Sequence, residues 1–172
     1  MKRPAKKFAL GTLAVSVIWI LFEHVMGYNT TRNDIGQYTR MFPVVFFWIM
    51  LVVSIYYTRR GHGNSLTFTE GFLSGLTMTL IYSFGFTILI IFYSKFLNPD
   101  QYSIMKEFTM NQLQQGKLTQ DQFDKAMKEV DVVYSGTPLS YFLLFVFTAI
   151  YGIGISAIAS LILMKKPKQH DS

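Results

Sequence analysis

One stretch limits what this chain can fold into. Thr67 to Asp100 reads TFTEGFLSGLTMTLIYSFGFTILIIFYSKFLNPD, and between Gly71 and Tyr93 it holds no charged side chain. As a helix that run is long enough to cross a hydrocarbon core of about 30 Å. Its start carries Thr67-x-x-Glu70, a pattern in which the threonine oxygen caps an early backbone N–H and the glutamate reaches back to the cap. Its end is marked by Asn98-Pro99-Asp100, because proline cannot donate to a continuing helix. A helix that is apolar on every side needs a large core or a lipid surround.

Composition favours lipid. Of 172 residues, 51% are hydrophobic and 15% charged, and the charges fall between apolar blocks instead of alternating with them. This segregation predicts an all-α integral membrane protein, a four-helix bundle forming a single domain. The expected spans are residues 8–26, 41–57, 70–95 and 139–164, with an amphipathic helical hairpin over 99–134. The first block has a basic start like a secretory signal. It runs on through Trp19, Ile20, Leu21 and Phe22 with no small-residue cleavage pattern, so an uncleaved signal-anchor is expected. Without cysteine the chain has no disulfide framework and no thiolate chemistry.

The net charge of +6 is distributed as membrane topology, not as a nucleic-acid surface. Lys2, Arg3, Lys6 and Lys7, then Arg59 and Arg60, then Lys165, Lys166 and Lys168 each flank an apolar block. Positive charge marks the cytoplasmic side, which puts both termini inside. Between the third and fourth spans, Asp100, Glu107, Asp121, Asp124, Glu129 and Asp131 outnumber the lysines, which assigns this segment to the outside. The lipid bilayer is the expected partner, and no nucleic acid is.

Within the hairpin, Asn98-Pro99 reads as a helix start, Gly116 as a break and Thr119-x-x-Gln122 as a second capping box. Ile104, Met105 and Phe108, then Phe123, Met127 and Val130, recur at helical spacing. Phe108, Phe123, Met127 and Val130 are a candidate partner surface; the competing reading is that the two stripes close on each other or lie on the membrane. Small residues mark helix packing faces at Gly71 and Gly75, and at Gly152, Ser156 and Ser160.

Few residues offer chemistry. Glu70 suits the capping box, with cation binding or proton relay as the sharper alternative. Glu23 and His24 point about 100° apart on a helix, so they are not one metal pair. They are expected at the outer interface, where Lys95 shares their depth and a Glu23–Lys95 ion pair is predicted. His62 and His170 stand in basic turns without a second ligand at metal spacing. Asn29-Thr30-Thr31, in a polar loop over Tyr28 to Arg40, matches a glycosylation acceptor, a pattern common by chance. No nucleophile–base set, cofactor motif or internal repeat is visible.

SLTFTEGF (Ser65 to Phe72), FLNPD (Phe96 to Asp100) and QLQQGKLTQDQFDKAM (Gln112 to Met127), followed by a last span with a basic end, occur in this order. In that, the chain resembles the small four-span bacterial membrane proteins grouped as domain of unknown function 4199. The resemblance implies a bacterial inner membrane and an outward-facing hairpin, and it brings no activity, ligand or catalytic residue. The expected function is non-enzymatic assembly with a second copy or another membrane protein, through the outer hairpin and the small-residue helix faces. The alternative is a small transporter or channel using polar groups near Glu70, Glu23 and His24.

Overall fold

A computed structural model describes residues 4–165. Lys2, Arg3, Lys166, Lys168 and His170, read above as basic flanks and a loop histidine, lie outside the described residues. The fold is all-α. Its helices are α1 (Pro4–Val25), α2 (Asn33–Thr39), α3 (Phe42–Gly61), α4 (Phe68–Phe92), α5 (Gln101–Gln114), α6 (Gln120–Val133) and α7 (Pro138–Leu163), with a π-helical turn, Tyr93–Leu97, directly after α4. Among the described residues, four helical stretches are long and apolar enough to cross a membrane: Pro4–Val25, Asn33–Gly61, Phe68–Leu97 and Pro138–Leu163.

The helix ends follow local chemistry. At α4, Glu70 N–H donates to Thr67 Oγ1 (3.3 Å) while Thr67 N–H donates to Glu70 Oε2 (2.9 Å), a reciprocal cap. The same exchange joins Thr119 and Gln122 at α6. Pro138 opens α7, and the preceding Thr137 Oγ1 accepts from Ser140 N–H (3.2 Å). The C-terminus of α1 closes with Gly27 at φ +76°, Gly27 N–H bonding to His24 O and Tyr28 N–H to Glu23 O. This left-handed closure satisfies the last carbonyls and fixes where Glu23 and His24 stand. The loop expected over Tyr28 to Arg40 contains α2, whose short length and mixed sequence give no helical period to read.

The chain forms two compact units. The first takes in the described residues within Met1–Val17, Phe42–Phe86 and Val146–Ser172. Its interior is notably rich in hydroxyls. Thr12, Ser16, Ser54, Thr79, Ser156 and Ser160 are all buried, beside Phe47, Leu51, Met78 and Tyr82. Ser156 and Ser160 donate to the carbonyls of Gly152 and Ser156, four residues back, which satisfies each hydroxyl without a partner helix. Gly75 permits the close approach of α4 and α7, since a Cβ there would lie 2.5 Å from Ser156 Oγ. Gly71 faces Ser160 in the same way, and Gly152 faces Thr79. Tyr82 stacks on Phe47 with ring centroids 4.1 Å apart, and its hydroxyl donates to Pro43 O (3.2 Å). Beyond Leu163, Leu66 and Lys165 exchange two backbone hydrogen bonds, an isolated antiparallel bridge. Large apolar side chains such as Phe84, Ile158 and Ile162 face outward. Hydroxyls inside and hydrocarbon outside is the distribution a lipid solvent favours.

The second unit comprises Ile18–Met41 and Thr87–Phe145. In it α5 packs against α6 with Met105, Thr109 and Val130 buried. Tyr102 donates to Asp131 (2.6 Å), and Lys106 forms an ion pair with the same carboxylate (3.2 Å).

Candidate functional site

One cluster of polar groups in the second unit includes Glu23, which is 2% exposed at the end of α1. Asn29, from the turn that follows, donates Nδ2–H to Glu23 Oε2 (3.3 Å). The Asn29 Oδ1 accepts from Arg40 Nε (2.9 Å), and its backbone oxygen accepts from Asn98 Nδ2 (3.0 Å). Asn29 is itself buried, which removes the Asn29-Thr30-Thr31 match as an open glycosylation acceptor.

Arg40 is held from several directions. Its Nη2 donates to Asn33 Oδ1, and its Nη1 lies 3.1 Å from Met105 Sδ and 3.4 Å from the Tyr134 hydroxyl. The backbone needs a glycine for this. At Gly36 a Cβ would collide with the carbonyl of Tyr28, so α2 can lie this close to the turn only without a side chain.

Tyr93 approaches from the π-helical turn and is 2% exposed. Its hydroxyl lies 3.2 Å from His24 Nδ1 and 3.3 Å from Asn98 Nδ2, and its ring stands edge-on to the imidazole. The turn closes with Asn98 N–H bonding to Tyr93 O (2.8 Å). Asn98, which precedes Pro99, stands out of the helix at φ −139° and ψ 66°.

The electrostatics reduce to one acid and one guanidinium with a carboxamide between them. An arginine offers only donors, so Asn29 must turn its oxygen to Arg40 and its NH₂ to Glu23. Glu23 Oε2 is thereby committed as an acceptor. Glu23 Oε1 is buried and has no hydrogen-bond partner. A buried carboxylate oxygen left in that state is costly, and a proton, a cation or another donor at Oε1 relieves it.

The other expected residues fall elsewhere. Lys95 is exposed and forms no ion pair with Glu23, whose bonded oxygen is taken by Asn29. Equal depth does not fix the direction in which a side chain leaves its helix. Glu70 is exposed and sits in its cap. Phe108, Phe123 and Met127 are half-buried and Val130 is 5% exposed. Val130 is buried, so it is corrected: it does not stand in an open partner surface. Asn98, read as a helix cap, instead bonds Asn29, and α5 begins after Asp100. In the sequence, Asn29 carries only a glycosylation match, and Asn33, Arg40 and Tyr93 carry no role in a site; an arginine beside two asparagines at the foot of an apolar span was the available signal.

No curated protein and no solved structure matches the chain. The family described as protein of unknown function (DUF4199) matches residues 7–165. With the four membrane-length apolar helices, the match supports a multi-pass membrane protein, and the chain belongs to that family.

Proposed function

We propose that this is a non-enzymatic, multi-pass protein of the bacterial cytoplasmic membrane that binds and passes on a proton or small monovalent cation at Glu23. The unpartnered Glu23 Oε1 carries the reading. An ionisable group buried in a membrane span is expensive to keep and commonly marks an ion pathway. His24, half-buried and bonded to Tyr93, is the titratable group next to Glu23 in the chain and serves as the proton's exchange point with solvent. The basic clusters support cytoplasmic termini and an outward α5–α6 hairpin.

The test is flux in liposomes holding the purified full chain and a pH-sensitive dye. Under imposed proton, Na⁺ or K⁺ gradients, the native protein is expected to speed equilibration, and Glu23→Gln to return it to the protein-free rate. Equal rates in native and Glu23→Gln liposomes would remove the reading.

A second reading is assembly with a second copy or another membrane protein through the hairpin. Met110, Val132 and Val133 favour it, because all three are close to half exposed. It ranks second because the small-residue faces and the hairpin seam are already occupied within the chain. Loss of a copurifying partner on Met110→Asp and Val133→Asp would reverse the order.

A further inference from the structure

The first unit contains a cavity of about 790 Å³, within the range of roughly 300–1,000 Å³ typical of small-molecule sites. Tyr57, Thr58, His62, Glu70, Leu73 and Ser74 line it. The hydroxyls of Thr58 and Ser74 satisfy each other at 2.7 Å, so they ask nothing of a ligand. Two groups do. Glu70 uses Oε2 for both bonds to Thr67, which leaves Oε1 open. His62 Nδ1 is buried without a hydrogen-bond partner.

The charges next to its lining residues in the chain have the opposite sign. Lys6 and Lys7 follow the lining residue Ala5, and Arg59 and Arg60 precede the lining residue Gly61. None of the four joins an ion pair among the described residues. A simple amine would suit Glu70 and be repelled by these cations, and a simple phosphate would meet the reverse. A zwitterion suits both. Tyr57 and Leu73 add exposed apolar surface at 48% and 53%, along which a hydrocarbon chain can lie.

We infer that this cavity binds the phosphoethanolamine headgroup of a membrane lipid, its ammonium at Glu70 Oε1 and His62 Nδ1 and its phosphate toward Lys6, Lys7, Arg59 and Arg60. A primary ammonium has three N–H donors for these two acceptors, as a lysine does. A trimethylated ammonium has none. The inference is independent of the ion site at Glu23.

The test is native mass spectrometry of the full chain released from nanodiscs holding equal fractions of phosphatidylethanolamine, phosphatidylcholine and phosphatidylglycerol. The expected result is selective retention of phosphatidylethanolamine, lost in Glu70→Gln and weakened in His62→Ala. Glutamine supports the same capping box, so Glu70→Gln removes the charge and keeps the helix start. Equal retention of the ethanolamine and choline lipids by the native chain would overturn the inference, and that comparison needs no variant. Unchanged selectivity in Glu70→Gln would overturn it as well. Soluble phosphoethanolamine is expected not to displace the lipid; displacement at equal concentration would overturn the lipid source.

Discussion

Glu23 and Arg40 are joined through one carboxamide: Asn29 donates to the acid at 3.3 Å and accepts from the guanidinium at 2.9 Å. The amide cannot flip without setting its NH₂ against the donors of Arg40. The order of donors and acceptors from Arg40 to Glu23 is therefore fixed by the guanidinium, which offers donors only.

Asn29→Ala should uncouple the pair. Both Glu23 oxygens and the Arg40 Nε would then lack a side-chain partner, at a cost of about 1–3 kcal/mol for a stranded buried polar group. The expected outcome is a lower midpoint of denaturation in mixed micelles. Gln37→Ala, in the same segment but exposed, should leave the midpoint unchanged.

Gly75→Ala should cost stability by overpacking. Its new methyl would meet Ser156 Oγ at 2.5 Å and Ser156 Cβ at 2.7 Å, and strain of this kind is worth about 1–3 kcal/mol. Gly11→Ala has open space and should be neutral or stabilising. Adding Ser156→Gly to Gly75→Ala should recover part of the loss, which a double-mutant cycle on denaturation midpoints would read.

The α5–α6 pair should respond to pH at both extremes. The hydrogen bond from Tyr102, and then Lys106, holds the Asp131 carboxyl below the usual range. Its contribution is present above the ordinary aspartate pKa of about 3.9 and is lost as pH falls through the lowered value. Lys106 is raised by Tyr102 first and Asp131 second. Its contribution is present below the ordinary lysine pKa of about 10.4 and is lost as pH rises through the raised value. NMR titration of the Asp131 carboxyl should move back toward the usual range in Tyr102→Phe. An identical titration in both proteins would show that the hydrogen bond does not matter.

Thr119→Ala should fray the start of α6. It removes the oxygen that accepts from Gln122 N–H, and a lost N-cap costs about 1 kcal/mol. Amide hydrogen exchange should quicken over the first turn of α6 and stay unchanged in α7.

The membrane-length helices are legible because hydrocarbon asks only for a long uncharged run, which the stretch from Gly71 to Tyr93 supplies. The capping boxes at Thr67 and Thr119 are legible because three-residue spacing is local. The Glu23 cluster depends on distant partners. Asn98 looks like a helix cap by its neighbours, yet its amide is used 69 residues away, at Asn29. The hidden helix α2 has the same cause: its burial at Asn33 and Gly36 is set by the turn at Gly27 and by Arg40, not by any period of its own.

The π-helical turn at Tyr93–Leu97 makes the site sensitive to chain length. Its i to i+5 closure holds one residue more than an α-helical turn would. Deleting a single residue there would leave the span as apolar and almost as long, and would let the backbone relax to ordinary helix. It would also swing Asn98 by about 100° relative to Tyr93 and break the bond to Asn29. Among relatives, insertions and deletions in this turn should therefore be scarcer than substitutions, because spacing here is itself a functional variable.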